Sequence, residues 1–76
     1  FPNPFNNELS IHLGEIPQKA FDLKIYDIGS RLVKTYNFGE HKEKITLNNL
    51  DNMPGGTYLI HYKLNDKPFS FKVLKK

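Results

Sequence analysis

Apolar and polar side chains alternate along most of this chain with a period of two. Leu9, Ile11 and Leu13 are interleaved with Ser10 and His12, and Phe21, Leu23 and Ile25 with Asp22, Lys24 and Tyr26. That period predicts strands with one face turned to a core. Residues 14–19, with Pro17 inside, predict a break between them. Asp27-Ile28-Gly29-Ser30 is turn chemistry, with Gly29 suited to a positive φ. Leu32 to Phe38 predicts a third strand, with Leu32, Lys34, Tyr36 and Phe38 on one face and Val33 on the other. Gly39-Glu40-His41 turns the chain again. Ile45 and Leu47 mark a short strand, and Leu50 follows before the loop at residues 51–56. Tyr58, Ile60, Tyr62 and Leu64 share one face of the longest strand. Asn65-Asp66-Lys67 predicts a tight hairpin link, and Phe69, Phe71 and Val73 form the inner face of the last strand.

No segment longer than ten residues carries a helical stripe, and Pro and Gly interrupt the chain too often for helices. Short strands at regular spacing predict an all-β, small Ig-like Greek-key β-sandwich of about seven short antiparallel strands. Tyr58 follows a Pro/Gly turn at a strand start, where the tyrosine corner of such sandwiches lies. Its phenol is expected to bond upstream backbone and clamp a crossover between the sheets. Gly29 and Gly56 are expected at positive-φ or close-approach positions.

Composition narrows the possibilities further. Seventy-six residues suffice for one domain with one thin core, so residues 1–76 are expected to be a single module of something longer. Ten aromatic side chains are too many for a disordered tail, and no apolar run nears the ~20 residues of a membrane-spanning helix. The absence of cysteine excludes disulfides and thiolate metal sites. Charge is uneven. Residues 63–76 hold Lys63, Lys67, Lys72, Lys75 and Lys76 against Asp66 alone, while the rest of the chain is near neutral. A basic end can meet phosphate, lipid headgroups or an acidic protein surface, but lysines also protect a free edge strand from aggregation, a reading that requires no partner.

Catalytic chemistry is scarce. His12, His41 and His61 show no zinc-ligand spacing, and Ser10, Ser30 and Ser70 lie outside any nucleophile-elbow pattern. Gly55-Gly56 lacks the GK[ST] and the helix of a phosphate loop. An enzyme is therefore not expected, and no catalytic, metal or cofactor residue is assigned. Lysines among the aromatics of the last strands could engage single-stranded nucleic acid, but Phe69 and Phe71 keep the phase of a buried face, so no nucleic-acid partner is expected. Exposed Tyr26 or Tyr36 could cover a sugar ring, although the chain has no Trp.

Taken in order, several segments resemble a known family. Phe1-Pro2-Asn3-Pro4-Phe5-Asn6, followed by residues 9–13, is similar to the Y-P-N-P-f-n opening of type A C-terminal sorting domains of the type IX (Por) secretion system. Leu23-Lys24-Ile25-Tyr26-Asp27-Ile28-Gly29-Ser30-Arg31-Leu32-Val33 resembles that family's v-x-I-Y-D-x-x-G-r-x-V segment. Leu47-Asn48-Asn49-Leu50 through Gly56-Thr57-Tyr58-Leu59-Ile60 resembles L-s-x-L-x-x-G-x-Y-x-v. Phe71-Lys72-Val73-Leu74-Lys75-Lys76 resembles the closing x-K-(v/l)-(i/l)-K-x. Phe1 replaces the family's usual Tyr, and residues 51–55 lengthen one loop. Ig-like modules of flagellar hook-cap type share the opening and the IYD segment but typically carry Trp-Asp-Gly, and this chain has no Trp.

The resemblance implies a sorting signal at the C-terminus of a Bacteroidota protein. Such cargo enters the periplasm, is carried across the outer membrane by the type IX machinery, and commonly loses the domain to a surface sortase. The implied partners are that machinery, namely an outer-membrane shuttle and the sortase, and a cargo domain in cis, with no membrane insertion of the module itself. The cleavage site of the family generally lies upstream, outside this chain. Lys72, Val73, Leu74, Lys75 and Lys76 match the terminal segment implicated in recognition. Pro2, Asn3, Pro4, Tyr26, Asp27, Gly29, Gly56 and Tyr58 match motif positions expected to define the fold. A structural or adhesive Ig-like spacer, or a carbohydrate-binding module, is the competing expectation.

Overall fold

A computed structural model of the chain describes residues 5–40 and 42–76. Pro2, Asn3 and Pro4 of the opening motif, together with His41, lie outside the described residues. Six strands follow in order: β1 (Leu9–His12), β2 (Phe21–Tyr26), β3 (Leu32–Phe38), β4 (Lys44–Leu47), β5 (Gly56–Leu64) and β6 (Lys67–Lys75). They form two antiparallel sheets, one of order β1-β4 and one of order β3-β2-β5-β6. A β1-β4 pair facing a four-strand sheet of this order corresponds to strands B and E facing C′, C, F and G of the immunoglobulin sandwich. The fold is thus the expected all-β sandwich, with six strands among the described residues where about seven were anticipated. Phe5 also makes a single parallel bridge to Lys75.

Alternation sets which side chains the sheets bury. Leu9, Ile11, Ile45 and Leu47 project from the small sheet onto Leu23, Ile25, Ile60, Tyr62, Leu64 and Val73 of the large one. Leu23, Leu47, Ile60 and Leu64 have no exposed surface. A register slip of one residue would expose this entire set, so the hydrophobic pattern fixes the pairing. The small sheet is too narrow to cover the outer strands of the large one. Tyr36, Phe38, Phe69 and Phe71 are therefore only half-buried at the core margin. There Phe69 stacks on Tyr62 at 5.3 Å, and Phe38 packs on Phe21 at 5.7 Å.

The hairpins obey local chemistry. Asn65 and Asp66 both have positive φ, 49° and 67°, between the paired Leu64 and Lys67. This is a two-residue turn of the kind whose twist matches antiparallel strands. Lys67 accordingly belongs to β6 and not to the turn. Asn65 also pins the β1–β2 connection to this hairpin. Its Oδ1 accepts from the Gln18 amide at 2.7 Å, and its Nδ2 donates to Glu15 Oε1 at 2.8 Å. Lys67–Glu15 and Lys19–Asp66 ion pairs flank it at 3.1 and 2.7 Å.

Two expectations need correction. Leu32 does not share the inner face with Lys34, Tyr36 and Phe38. A register shift between Ile25 and Tyr26 pairs Ile25 with Lys34 but Tyr26 with Leu32, which carries Leu32 outward to 53% exposure. Such a bulge puts two residues opposite one and reverses the alternation beyond it. At the adjacent turn the positive φ belongs to Ser30 at 67°, not to Gly29. Gly56 does occupy the expected region, with φ 148°.

Candidate functional site

The basic last strand is an edge of the large sheet, and its residues divide by face. Val73 and Lys75 point inward, 3% and 7% exposed, while Lys72, Leu74 and Lys76 are exposed. Lys75 sits opposite Gly56, and its amine donates to the Lys76 backbone oxygen at 3.2 Å. A lysine can be accommodated there because its aliphatic stem lies on apolar surface while the ammonium reaches a polar partner. The five residues singled out in the sequence are thus not one exposed peptide. Two hold the end of the strand to the sandwich, and three are presented to solvent.

The N-terminal segment secures the same end. The Phe5 amide donates to the Leu74 carbonyl at 3.0 Å, and the Lys76 amide donates to the Phe5 carbonyl at 2.9 Å. The Phe5 ring is buried in the core. Gly55 faces the other side of this end. A Cβ there would stand 3.3 Å from the Lys76 carbonyl carbon and 3.5 Å from the Lys75 oxygen. Close approach to the tail is therefore the role of Gly55, which the motif comparison did not single out, while Gly56 supplies the backbone conformation. Neither the Phe5 bridge nor the Gly55 contact leaves a local trace in the sequence, because both join segments far apart along it.

The motif residues Tyr26, Asp27 and Tyr58 surround this region. Tyr58 is buried, and its hydroxyl donates to the Pro54 carbonyl at 2.6 Å, four residues upstream. It locks the connection by which the chain crosses from β4 in the small sheet to β5 in the large one, as a tyrosine corner does. Asp27 builds the β2–β3 turn. One carboxylate oxygen accepts from the Gly29 and Arg31 amides, each at 2.9 Å, and the other from Arg31 Nε at 3.1 Å. The Arg31 amide first, then its guanidinium and the Gly29 amide, hold the Asp27 carboxyl below its usual range. A Cβ on Gly29 would meet Asp27 Oδ1 at 3.4 Å, so a small residue suits this turn even without a positive φ.

Tyr26 lies half-exposed on the outer face, opposite Leu32 on one side and Leu59 on the other. Leu59 in turn pairs with Lys72. Beside this row, Asp27, Ile28, Ser30, Thr57, Leu59 and Lys72 line a shallow concavity of about 460 Å³. A second hollow of about 390 Å³ lies toward the far end of the face, lined by Lys19, Lys24, His61, Lys63 and Asp66 among others. His61 there shares a hydrogen bond with Ser70 at 3.1 Å. His12 is on the small sheet, and no group of three His, Asp or Glu converges among the described residues. What the surface offers is shape, apolar area and positive charge, which suit recognition of another macromolecule.

No curated protein matches the chain significantly. A family model described as a secretion system C-terminal sorting domain matches residues 1–76, and the chain belongs to that family.

Proposed function

We propose that this member of the type IX sorting-domain family is the folded address of an exported cargo. Residues 1–76 form one module following a cargo domain. The type IX machinery reads it in the periplasm and carries the cargo over the outer membrane through a shuttle. A surface sortase then removes the module. The module itself is not catalytic. The observation carrying this reading is the family match along the whole chain. The arrangement of the tail supports it, because Lys72, Leu74 and Lys76 are offered on a paired edge strand while Val73 and Lys75 are seated inward. In this reading the three exposed residues contact the machinery and the two buried ones position them.

The test fuses a periplasm-directed fluorescent protein to residues 1–76 in a host with a working type IX system, with a translocon-deficient strain as control. Surface or medium fluorescence that disappears in the deficient strain is the expected result. Fluorescence retained in the periplasm of both strains, with the module shown to be folded, would favour a non-signal spacer. Truncation from Lys72 is a poor substitute for point changes here. It deletes Val73 from the core and removes both backbone partners of Phe5.

A further inference from the structure

The outer face of the large sheet carries more apolar surface than a solvated sheet needs. Among the described residues, six large hydrophobic side chains are exposed: Ile16, Ile28, Leu32, Val33, Leu59 and Leu74. Leu32, Leu59 and Leu74 lie on this one face and Ile28 beside it. Cross-strand pairing sets Leu32, Tyr26, Leu59 and Lys72 in a single row across all four strands. At ~4.8 Å between strands the row is about 14 Å long. Ile28 stands at its margin, 89% exposed, on a turn that Asp27 braces with three hydrogen bonds. Leu74 flanks the row diagonally on β6. Scattered apolar residues on a surface are ordinary, whereas a contiguous patch with a polar rim marks an interaction site.

Charge selects the occupant. The strands contribute Lys24, Lys63 and Lys72 to this face against Asp22 alone, and the Asp22 carboxylate accepts from the Asn37 amide. The Asp27 carboxylate is committed to its own turn and to Arg31, whose side chain is exposed at the same margin. A second copy of the chain laid face to face would set lysine against lysine. A protein surface with an apolar centre and carboxylates around it is complementary both in shape and in sign.

We propose that the row Leu32–Tyr26–Leu59–Lys72, with Ile28 and Leu74, is the surface on which the sorting domain docks to an acidic-rimmed apolar patch of the export machinery. This rests on the sorting-signal reading and extends it. Recognition involves a composite face assembled from β2, β3, β5 and β6, and the exposed tail residues are one border of it. An apolar projection of the partner seats in the concavity that Ile28 and Leu59 line, while Lys72 at its border meets a carboxylate.

The same fluorescent fusion tests it, using Ile28→Asp, Leu59→Thr, Lys72→Glu and Lys72→Arg. Ile16→Asp is the control, an exposed apolar residue away from the face. Thermal melts of each purified variant establish folding, and Lys72 is exposed enough that its reversal leaves the core untouched. Ile28→Asp, Leu59→Thr and Lys72→Glu should each weaken docking about tenfold or more, read as a matching loss of translocon-dependent export. Lys72→Arg and Ile16→Asp should export like the parent. Export of the parent with undiminished export of folded Ile28→Asp and Lys72→Glu overturns the docking face and leaves the sorting function standing. Equal losses in Ile16→Asp overturn it also. So does a dimer of the purified chain that Ile28→Asp converts to monomer, since the face would then be a self-association surface. Failure of the parent fusion to be exported refutes the sorting function itself, and the docking partner with it.

Discussion

Replacing Tyr58 by Phe removes one oxygen and leaves the ring, so it isolates the clamp on the crossover between the sheets. The phenol donates at 2.6 Å to the Pro54 carbonyl, in a partly buried position. A neutral hydrogen bond contributes about 0.5–1.5 kcal/mol net, and one that is partly shielded from water lies toward the upper end or slightly above it. About 1–2 kcal/mol is expected, because Phe keeps the apolar burial that a residue only 6% exposed provides. For a domain of this size each kcal/mol moves the melting temperature by about 4–8 °C, so Tyr58→Phe should melt roughly 4–15 °C below the parent. Urea titration should show the midpoint falling with an unchanged slope, the signature of lost stability without a change in compactness. Tyr36→Phe is the internal standard. Its hydroxyl also donates to a carbonyl, that of Asn48 at 2.9 Å, but from a half-buried ring at the core margin, where water reaches the bond more readily. The smaller loss should therefore belong to Tyr36→Phe. If Tyr58→Phe melts within about 2 °C of the parent, or if Tyr36→Phe costs as much, the buried corner is not what holds the crossover.

Gly55→Val should displace the tail without unfolding the domain, because even the first added carbon would stand 3.3 Å from the Lys76 carbonyl. Amide exchange should quicken at Phe5 and Lys76 while β2 and β5 remain protected, and uniform protection would refute the close contact. Acid should weaken the fold. Glu15 is held below its usual range by the Asn65 amide and then Lys67, Asp27 by the Arg31 amide and side chain, and Asp66 by Lys19. Groups lowered in the folded state stabilise it above the ordinary carboxylate range of about 4, and that stability is lost as pH falls through and below it. Burial raises Tyr36, and burial with Glu15 raises Tyr62. Their contribution holds below about pH 10 and is lost as pH climbs above it. Melting temperatures at pH 3, 7 and 11 should therefore peak at 7, and a profile flat from 7 to 3 would contradict the acid arm.

The strands were legible because each buries one face, and a period of two leaves little choice where a core demands it. Tyr58 was legible as a corner for a related reason, since a Pro/Gly turn before a tyrosine at a strand start combines local turn chemistry with a buried phenol. What escaped the sequence was non-local. The bulge opposite Tyr26 depends on how β3 meets β2, so Leu32 was assigned to the wrong face. The half-burial of Phe69 and Phe71 depends on the width of the opposite sheet, which no property of β6 reports. Lys75 is the intermediate case. It was grouped with the terminal recognition segment, yet it shares the inward phase of Val73, and a lysine is accommodated there because Gly56 lies opposite and the Lys76 oxygen accepts a hydrogen bond from its amine.

The construction of the tail bears on how the address would work. Lys72 and Leu74 are displayed outward because Val73 and Lys75 are drawn inward, and those two are seated because the Phe5 backbone bonds both neighbours of Lys75. Ile28, Leu59 and Leu74 come from three separate stretches of chain and become neighbours only through the β2–β5 and β5–β6 pairings. An unfolded chain contains the same terminal lysines but no apolar row. On the docking proposed above, a folded module is distinguished from an unfolded one by the face itself, since the six contributing residues exist as one surface only while the sheet is closed. A peptide of residues 71–76 should then compete poorly with the intact domain. Competition equal to that of the domain would return recognition to the linear tail.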